Sequence, residues 1–169
     1  KVLYLDSDIV ILADVADLFH TDMGDNLVAA APDDIIQNNK VFQDYAEKVV
    51  GVAKYQNYFN AGVLLMNLDA LRKFDFQKKF LYLLETVKFS VAQDQDYLNR
   101  LCKGRVKLIS TAWDRMPMPS TTVKDEDIKI LHFNFACKPW HFEDVLYSEY
   151  FWKYAEETEY INEIRAEKE

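Results

Sequence analysis

The chain has 169 residues, is 50% apolar and carries a formal net charge of −8. Its length and apolar content suffice for one domain with its own core and exclude a disordered chain. The acidic balance disfavours nonspecific binding to nucleic acid or to anionic membranes, and no apolar run reaches the roughly 18 residues of a membrane span.

The predicted elements alternate along the chain. KVLYL (1–5) reads as a strand and LVAAA (27–31) as a second. VFQDYAEKVV (41–50) has Phe42, Tyr45 and Val49 on one helical face. VLLMNL (63–68) is the next strand. The stretch 71–89 places Phe76, Phe80, Leu83 and Val87 at helical spacing, and 94–103 is a short helix with Tyr97, Leu98 and Leu101 inward. VKLIS (106–110) and IKILHF (128–133) complete the strands. Beyond residue 142 acids outnumber bases, and Tyr147, Phe151 and Tyr154 form one stripe of an amphipathic C-terminal helix broken once. Short apolar strands between helices predict an α/β domain with a largely buried sheet over 1–142, followed by a helical tail over 143–169. With only Gly 4 and Pro 4, no flexible linker divides the chain. Cys102 and Cys137 lack metal-like spacing and are expected to be reduced, buried thiols. No secretory leader and no N-x-[ST] sequon is visible, which points to the cytoplasm.

Two carboxylates interrupt the first apolar run, LYLDSDIVI (3–11). Residues i and i+2 of a strand share a face, so Asp6 and Asp8 are expected side by side at a strand end, where open sheets bind ligands. Paired carboxylates repel and lose hydration. A divalent cation relieves both, and hard oxygens suit Mg²⁺ or Mn²⁺ bound beside phosphate. A solvated or turn-capping aspartate pair is the plainer alternative. The strand at 128–133 ends similarly, in His132, an imidazole suited to Mn²⁺. Lys138 follows, a point charge for phosphate, restricted to extended backbone by Pro139.

Four blocks stand out together: LYLDSDIVI, YFNAGVLLMNL (58–68), QDQDYLN (93–99) and HFNFACKPWH (132–141). In this order they resemble glycosyltransferase family 8, the retaining enzymes that include bacterial lipopolysaccharide galactosyl- and glucosyltransferases and glycogenin. The resemblance implies a nucleotide-diphospho-sugar transferase fold of GT-A type, a mixed sheet flanked by helices, here without the nucleotide-binding strands that open such domains. It implies that Asp6, Asp8 and His132 hold Mn²⁺ (or Mg²⁺) and that Lys138 contacts the donor diphosphate. Asn60, Ala61 and Gly62 would line the donor-sugar pocket, Asp94 would bind sugar hydroxyls, and Gln95 would lie near the anomeric carbon. The reaction implied moves glucose or galactose, with retention, from a UDP-sugar to a hydroxyl of a glycan or lipid-linked saccharide. Its setting would be the cytoplasm, peripheral at the inner face of the membrane, with no nucleic-acid partner. One position departs from the motif: Phe135 stands where the family has glycine, which puts the phosphate loop in question or shifts its contact to Asn134 or Ala136.

Retention has two routes. A double displacement needs a nucleophile, and Gln95 is a weak one, while Asp94 is engaged with the sugar. A front-face departure, in which the leaving phosphate helps deprotonate the acceptor, needs none and is the favoured reading. Two further hypotheses stand beside transfer. One is a degenerate, non-catalytic binding module, which Phe135 favours. The other is a haloacid-dehalogenase-like phosphatase, which also begins with D-x-D but lacks its later acidic pair here. Among the remaining polar residues, Asp33 and Asp34 read as a solvated turn, Asp96 as a helix cap, His20 as surface and His141 as structural. Trp113 and Trp140 read as core or as a sugar platform.

Overall fold

The computed structural model describes residues 1–119, 122–136 and 138–167. Among these residues, six strands form two sheets. β1 (Val2–Leu5), β3 (Val28–Ala30), β4 (Val63–Met66) and β5 (Val106–Leu108) make a four-stranded mixed sheet in the order β1-β4-β3-β5. β4 runs antiparallel to both neighbours, and β3 runs parallel to β5. β2 (Ile9–Ile11) and β6 (Ile130–His132) form a separate antiparallel pair. The helices are α1 (Ala16–Phe19), α2 (Asp34–Asn38), α3 (Lys40–Tyr45), α4 (Leu68–Lys73), α5 (Phe76–Thr86), α6 (Gln93–Leu101), α7 (Ser148–Ala155) and α8 (Ile161–Ala166).

The sheet is less buried than an all-parallel plan implies. β3 is fully buried, but the edge strands expose Val2, Tyr4 and Leu108. The main core lies where Leu27, Val28, Phe59 and Leu64 meet Leu98 and Cys102 of the α6 segment. Cys102 is a free, buried thiol, and burial raises its pKa to about 12. Cys137 lies outside the described residues.

Two helices differ from their sequence patterns for identifiable reasons. The run 41–50 leaves α-geometry at Ala46, where a π turn (Ala46–Val50) closes on Gly51 N–H donating to the Ala46 carbonyl at 2.9 Å. The wider turn shifts the face by one residue, so Val50 is buried and Val49 is 54% exposed. The run 71–89 is two helices, because Asp75 adopts a left-handed backbone (φ 57°) between them. Aspartate is among the few residues that accept this conformation at modest cost. Asn67 ends β4 and starts α4 by accepting the Ala70 N–H at 3.1 Å.

The C-terminal segment folds back on the small sheet. Phe151 of α7 packs edge-on against Phe133 and lies 5.0 Å from the Trp140 ring. Tyr147 is buried, but Tyr154 is exposed, so the packed stripe is narrower than the sequence pattern.

Candidate active site

The junction between the two sheets brings the two aspartates together. β1 ends at Leu5, paired with Val63 at the start of β4, and Asp6 N–H extends that ladder by donating to the Gly62 carbonyl at 2.8 Å. β2 then starts at Ile9 opposite His132, and the Asp8 carbonyl accepts from Phe133 N–H at 2.9 Å. Asp6 and Asp8 therefore occupy the crossing between sheets, not successive same-face positions of one strand. Ladders anchored on both sides converge them, where strand pleating was the expected cause.

Asp6, Asp8 and His132 offer ligand atoms that all lie within 4.8 Å of one another. His132 Nε2 is 3.3 Å from Asp8 Oδ1 and 3.5 Å from Asp6 Oδ2. Its Nδ1 is 2.8 Å from Oδ1 of Asp114, a residue the sequence reading did not single out. His132 is buried, and burial disfavours its charged form, yet Asp114, Asp6 and Asp8 together raise its pKa to about 11. The same imidazole, bonding to Asp6, holds that carboxyl below its ordinary range. For Asp8, burial works upward, but His132 and Lys138 win and hold it low. The donor set fits a divalent cation: two carboxylates and one imidazole, converging on a partly open face.

Gly62 sits directly against the His132 ring. A Cβ there would lie 2.1 Å from Cε1 and 2.5 Å from Nδ1. The motif glycine makes room for the imidazole in addition to lining the cleft.

The cluster opens into a cleft of about 470 Å³. Asn60, Ala61 and Gly62 form one wall, and the first turn of α6, with Asp94 and Gln95, forms another. Asp94 is exposed to the cleft. Gln95 is locked in place: its Oε1 accepts from Ala61 N–H at 2.9 Å, and its Nε2 donates to Asp33 Oδ2 at 3.0 Å. Asp33 is therefore no solvated turn residue. It is 1% exposed, caps α2 through Ile35 and Ile36, and also accepts from Asn60 Nδ2 at 3.1 Å. Asp34 is also buried, and its Oδ2 accepts from Arg115 at 2.6 Å. Asp96 lies behind the cleft wall, fully buried. It accepts from the Tyr45 and Tyr58 phenols, each at 2.7 Å, and from Ala92 N–H at the helix start.

Lys138 reaches the site from the far side, donating to Asp8 Oδ2 and to the Phe133 carbonyl. Phe135 lines the cleft with a left-handed backbone (φ 53°). This explains why a glycine suits the motif position: the loop needs a conformation that glycine adopts freely. The loop keeps that conformation with phenylalanine in place. Beside it, Asn134 Nδ2 is buried at the cleft without a hydrogen-bond partner among the described residues. Trp113 and Trp140 both pack against neighbouring apolar side chains, His20 is exposed, and His141 Nδ1 lies 3.4 Å from the Glu167 carbonyl.

A mixed sheet flanked by helices, with acidic residues and a histidine meeting at strand ends, is the architecture of GT-A glycosyltransferases. The family model for glycosyl transferase family 8 matches residues 1–144. The chain belongs to glycosyl transferase family 8. A glycosyltransferase of Haemophilus influenzae is 31% identical over 149 residues, covering 83% of this chain and 44% of its own length. The lipopolysaccharide 1,2-glucosyltransferase of Escherichia coli K12 is 26% identical over 155 residues, 83% of this chain and 44% of its own. The structure of the galactosyltransferase LgtC with donor and acceptor sugar analogs superposes with a TM-score of 0.75 at 29% identity, covering 93% of this chain and 61% of that one. The chain thus spans less than half the length of these two curated relatives. The phosphatase reading falls with the family assignment.

Proposed function

We propose that this protein is a metal-dependent, retaining glycosyltransferase that moves glucose or galactose from a UDP-sugar to a hydroxyl of a glycan or lipid-linked saccharide. The carrying observation is the convergence of Asp6, Asp8 and His132 at one end of a cleft whose opposite wall is the start of α6. Residues 1–142 are read as the later part of the catalytic domain and 143–169 as a helical tail packed beside it.

In this reading Asp6, Asp8 and His132 hold Mn²⁺, with Mg²⁺ as the second choice. The bound ion supplies charge neutralisation for the departing diphosphate. Lys138 exchanges its contact with Asp8 for a phosphate oxygen, and its charge stabilises the leaving group. Asn134, whose amide nitrogen at the cleft has no partner among the described residues, supplies a donor beside the strained Phe135. Asp94 accepts from the donor-sugar hydroxyls, with Asn60, Ala61 and Gly62 forming the floor beneath the sugar. Asp33 holds Gln95 and Asn60 in place.

The charges favour a neutral sugar. Asp6, Asp8 and Asp94 line the cleft, and among the described lining residues there is no lysine or arginine. With Asp6 and Asp8 engaged by the cation, Asp94 is the charge left among the described lining residues, and a uronate carboxylate would meet it unpaired.

Retention proceeds by front-face departure. Gln95, its amide bonded at both ends, is a poor nucleophile, and Asp96 is shielded behind the wall by two phenols. The leaving phosphate then takes the acceptor proton, and the residues contribute position and electrostatics. The acceptors in this reading lie at the cytoplasmic face of the membrane, with the protein peripheral to it.

The test uses full-length protein, a panel of UDP-sugars, and Mn²⁺ or chelator, following UDP release. Metal-dependent release from UDP-glucose or UDP-galactose, abolished in Asp6→Ala or Asp8→Ala, is expected. Release unaffected by chelator or by both substitutions would remove the metal assignment, and no release from any donor would return the reading to a binding module.

A further inference from the structure

Asp114 is the side chain most deeply committed to the site without any motif to explain it. It follows a 3₁₀ turn (Thr111–Trp113), and its side chain is fully buried. The next residue fixes its place: Arg115 N–H donates to the Ile130 carbonyl at 2.9 Å, and the Arg115 carbonyl accepts from His132 N–H at 2.8 Å. Asp114 and His132 thus lie in a set register across a two-segment backbone bridge. One carboxylate oxygen, Oδ1, is 2.8 Å from His132 Nδ1, and the other, Oδ2, has no hydrogen-bond partner among the described residues. A buried carboxylate with a single partner is unfavourable for stability alone.

We infer that Asp114 is a positioning residue for the metal ligand His132. A carboxylate is an acceptor, so the hydrogen between the two groups rides on Nδ1. This leaves Nε2 facing the space between Asp6 Oδ2 and Asp8 Oδ1, 3.5 and 3.3 Å away, where a cation would take the place of the proton shared with the two carboxylates. Gly62 packs against the ring, so its plane and tilt are set before any cation arrives. Carboxylate–imidazole–metal chains of this kind orient the ligand and strengthen it as a donor. The inference rests on the metal reading of the Asp6–Asp8–His132 cluster and adds the part of the site that local motifs leave unmarked.

The test is Mn²⁺ binding by the full-length protein, read from the free-ion electron paramagnetic resonance signal or by calorimetry. The variants are Asp114→Asn, Asp114→Ala, His132→Ala and the Asp114→Asn/His132→Ala pair. Asp114→Asn is nearly isosteric, and melting temperature without metal reports its folding. The expected result is an affinity about 10- to 100-fold weaker in Asp114→Asn. In the His132→Ala background the same substitution is expected to leave the residual affinity unchanged, which a merely structural role would not produce. Wild-type affinity in both Asp114 variants overturns the inference, as does an equal loss with and without His132. If the wild-type protein binds no Mn²⁺, the metal reading itself fails and this inference with it.

Discussion

Gly62→Ala probes how rigidly the imidazole is seated. The added methyl carbon would stand 2.1 Å from His132 Cε1, 2.5 Å from Nδ1 and 2.9 Å from Nε2. Carbon contacts settle near 3.5 Å, so the ring must retreat by about 1.4 Å. It has little room to do so, being 3% exposed and bonded to Asp114 along its Nδ1 edge. Backbone strain is not the cause, since Gly62 is not among the left-handed positions. Overpacking of this kind costs about 1–3 kcal/mol, and a weakened charge-assisted bond to Asp114 adds about 1 kcal/mol or more. A total near 3 kcal/mol lowers the melting temperature by about 6–12 °C in a domain of this size. Displacing Nε2 also lowers Mn²⁺ affinity by at least about tenfold. The decisive comparison is the double variant. In His132→Ala the ring is gone, and Gly62→Ala is then expected to be neutral or to stabilise by about 0.4–1 kcal/mol through the unfolded chain. Thermal melts by circular dichroism and Mn²⁺ titration read both effects. Wild-type melting in Gly62→Ala, or the same loss with and without His132, would refute the packing explanation.

Arg115→Met is expected to destabilise by about 3–5 kcal/mol, because it leaves the Asp34 carboxylate buried without its partner. Burial already raises Asp34 despite Arg115, so its folded pKa exceeds the unfolded one. Such a group weakens the fold as pH rises, so the deficit of Arg115→Met should shrink on acidification. A denaturation series across pH checks this, and a pH-independent deficit would contradict it. Phe135→Gly removes a left-handed penalty of about 1–2 kcal/mol and adds about 0.5–1 kcal/mol of glycine entropy. The net expectation is a slightly higher melting temperature with equal or tighter donor binding; a clear drop in melting temperature would show that the exposed ring contributes packing.

Much of this protein is written locally in its sequence. The alternation of apolar runs and helical faces determined the α/β class, because short continuous apolar strands and period-3.6 helical faces leave separate signatures. The four blocks around Asp6, Asn60, Asp94 and His132 marked the candidate site, because polar groups at strand and helix ends interrupt apolar runs. Local pattern also fails locally: a π turn at Ala46 and a left-handed Asp75 shift or split helices whose periodicity looks continuous. What tertiary structure alone decided is how those groups are held. Asp33, 62 residues from Gln95, and Asp114, 18 residues from His132, carry no mark in their own neighbourhoods. A buried carboxylate and a solvated turn aspartate look alike along the chain; they differ in what folds over them. The division of the sheet at Asp6 and the seat that Gly62 leaves for an imidazole 70 positions away are long-range facts of the same kind. Each depends on which backbone arrives opposite which, and only the packed chain determines that.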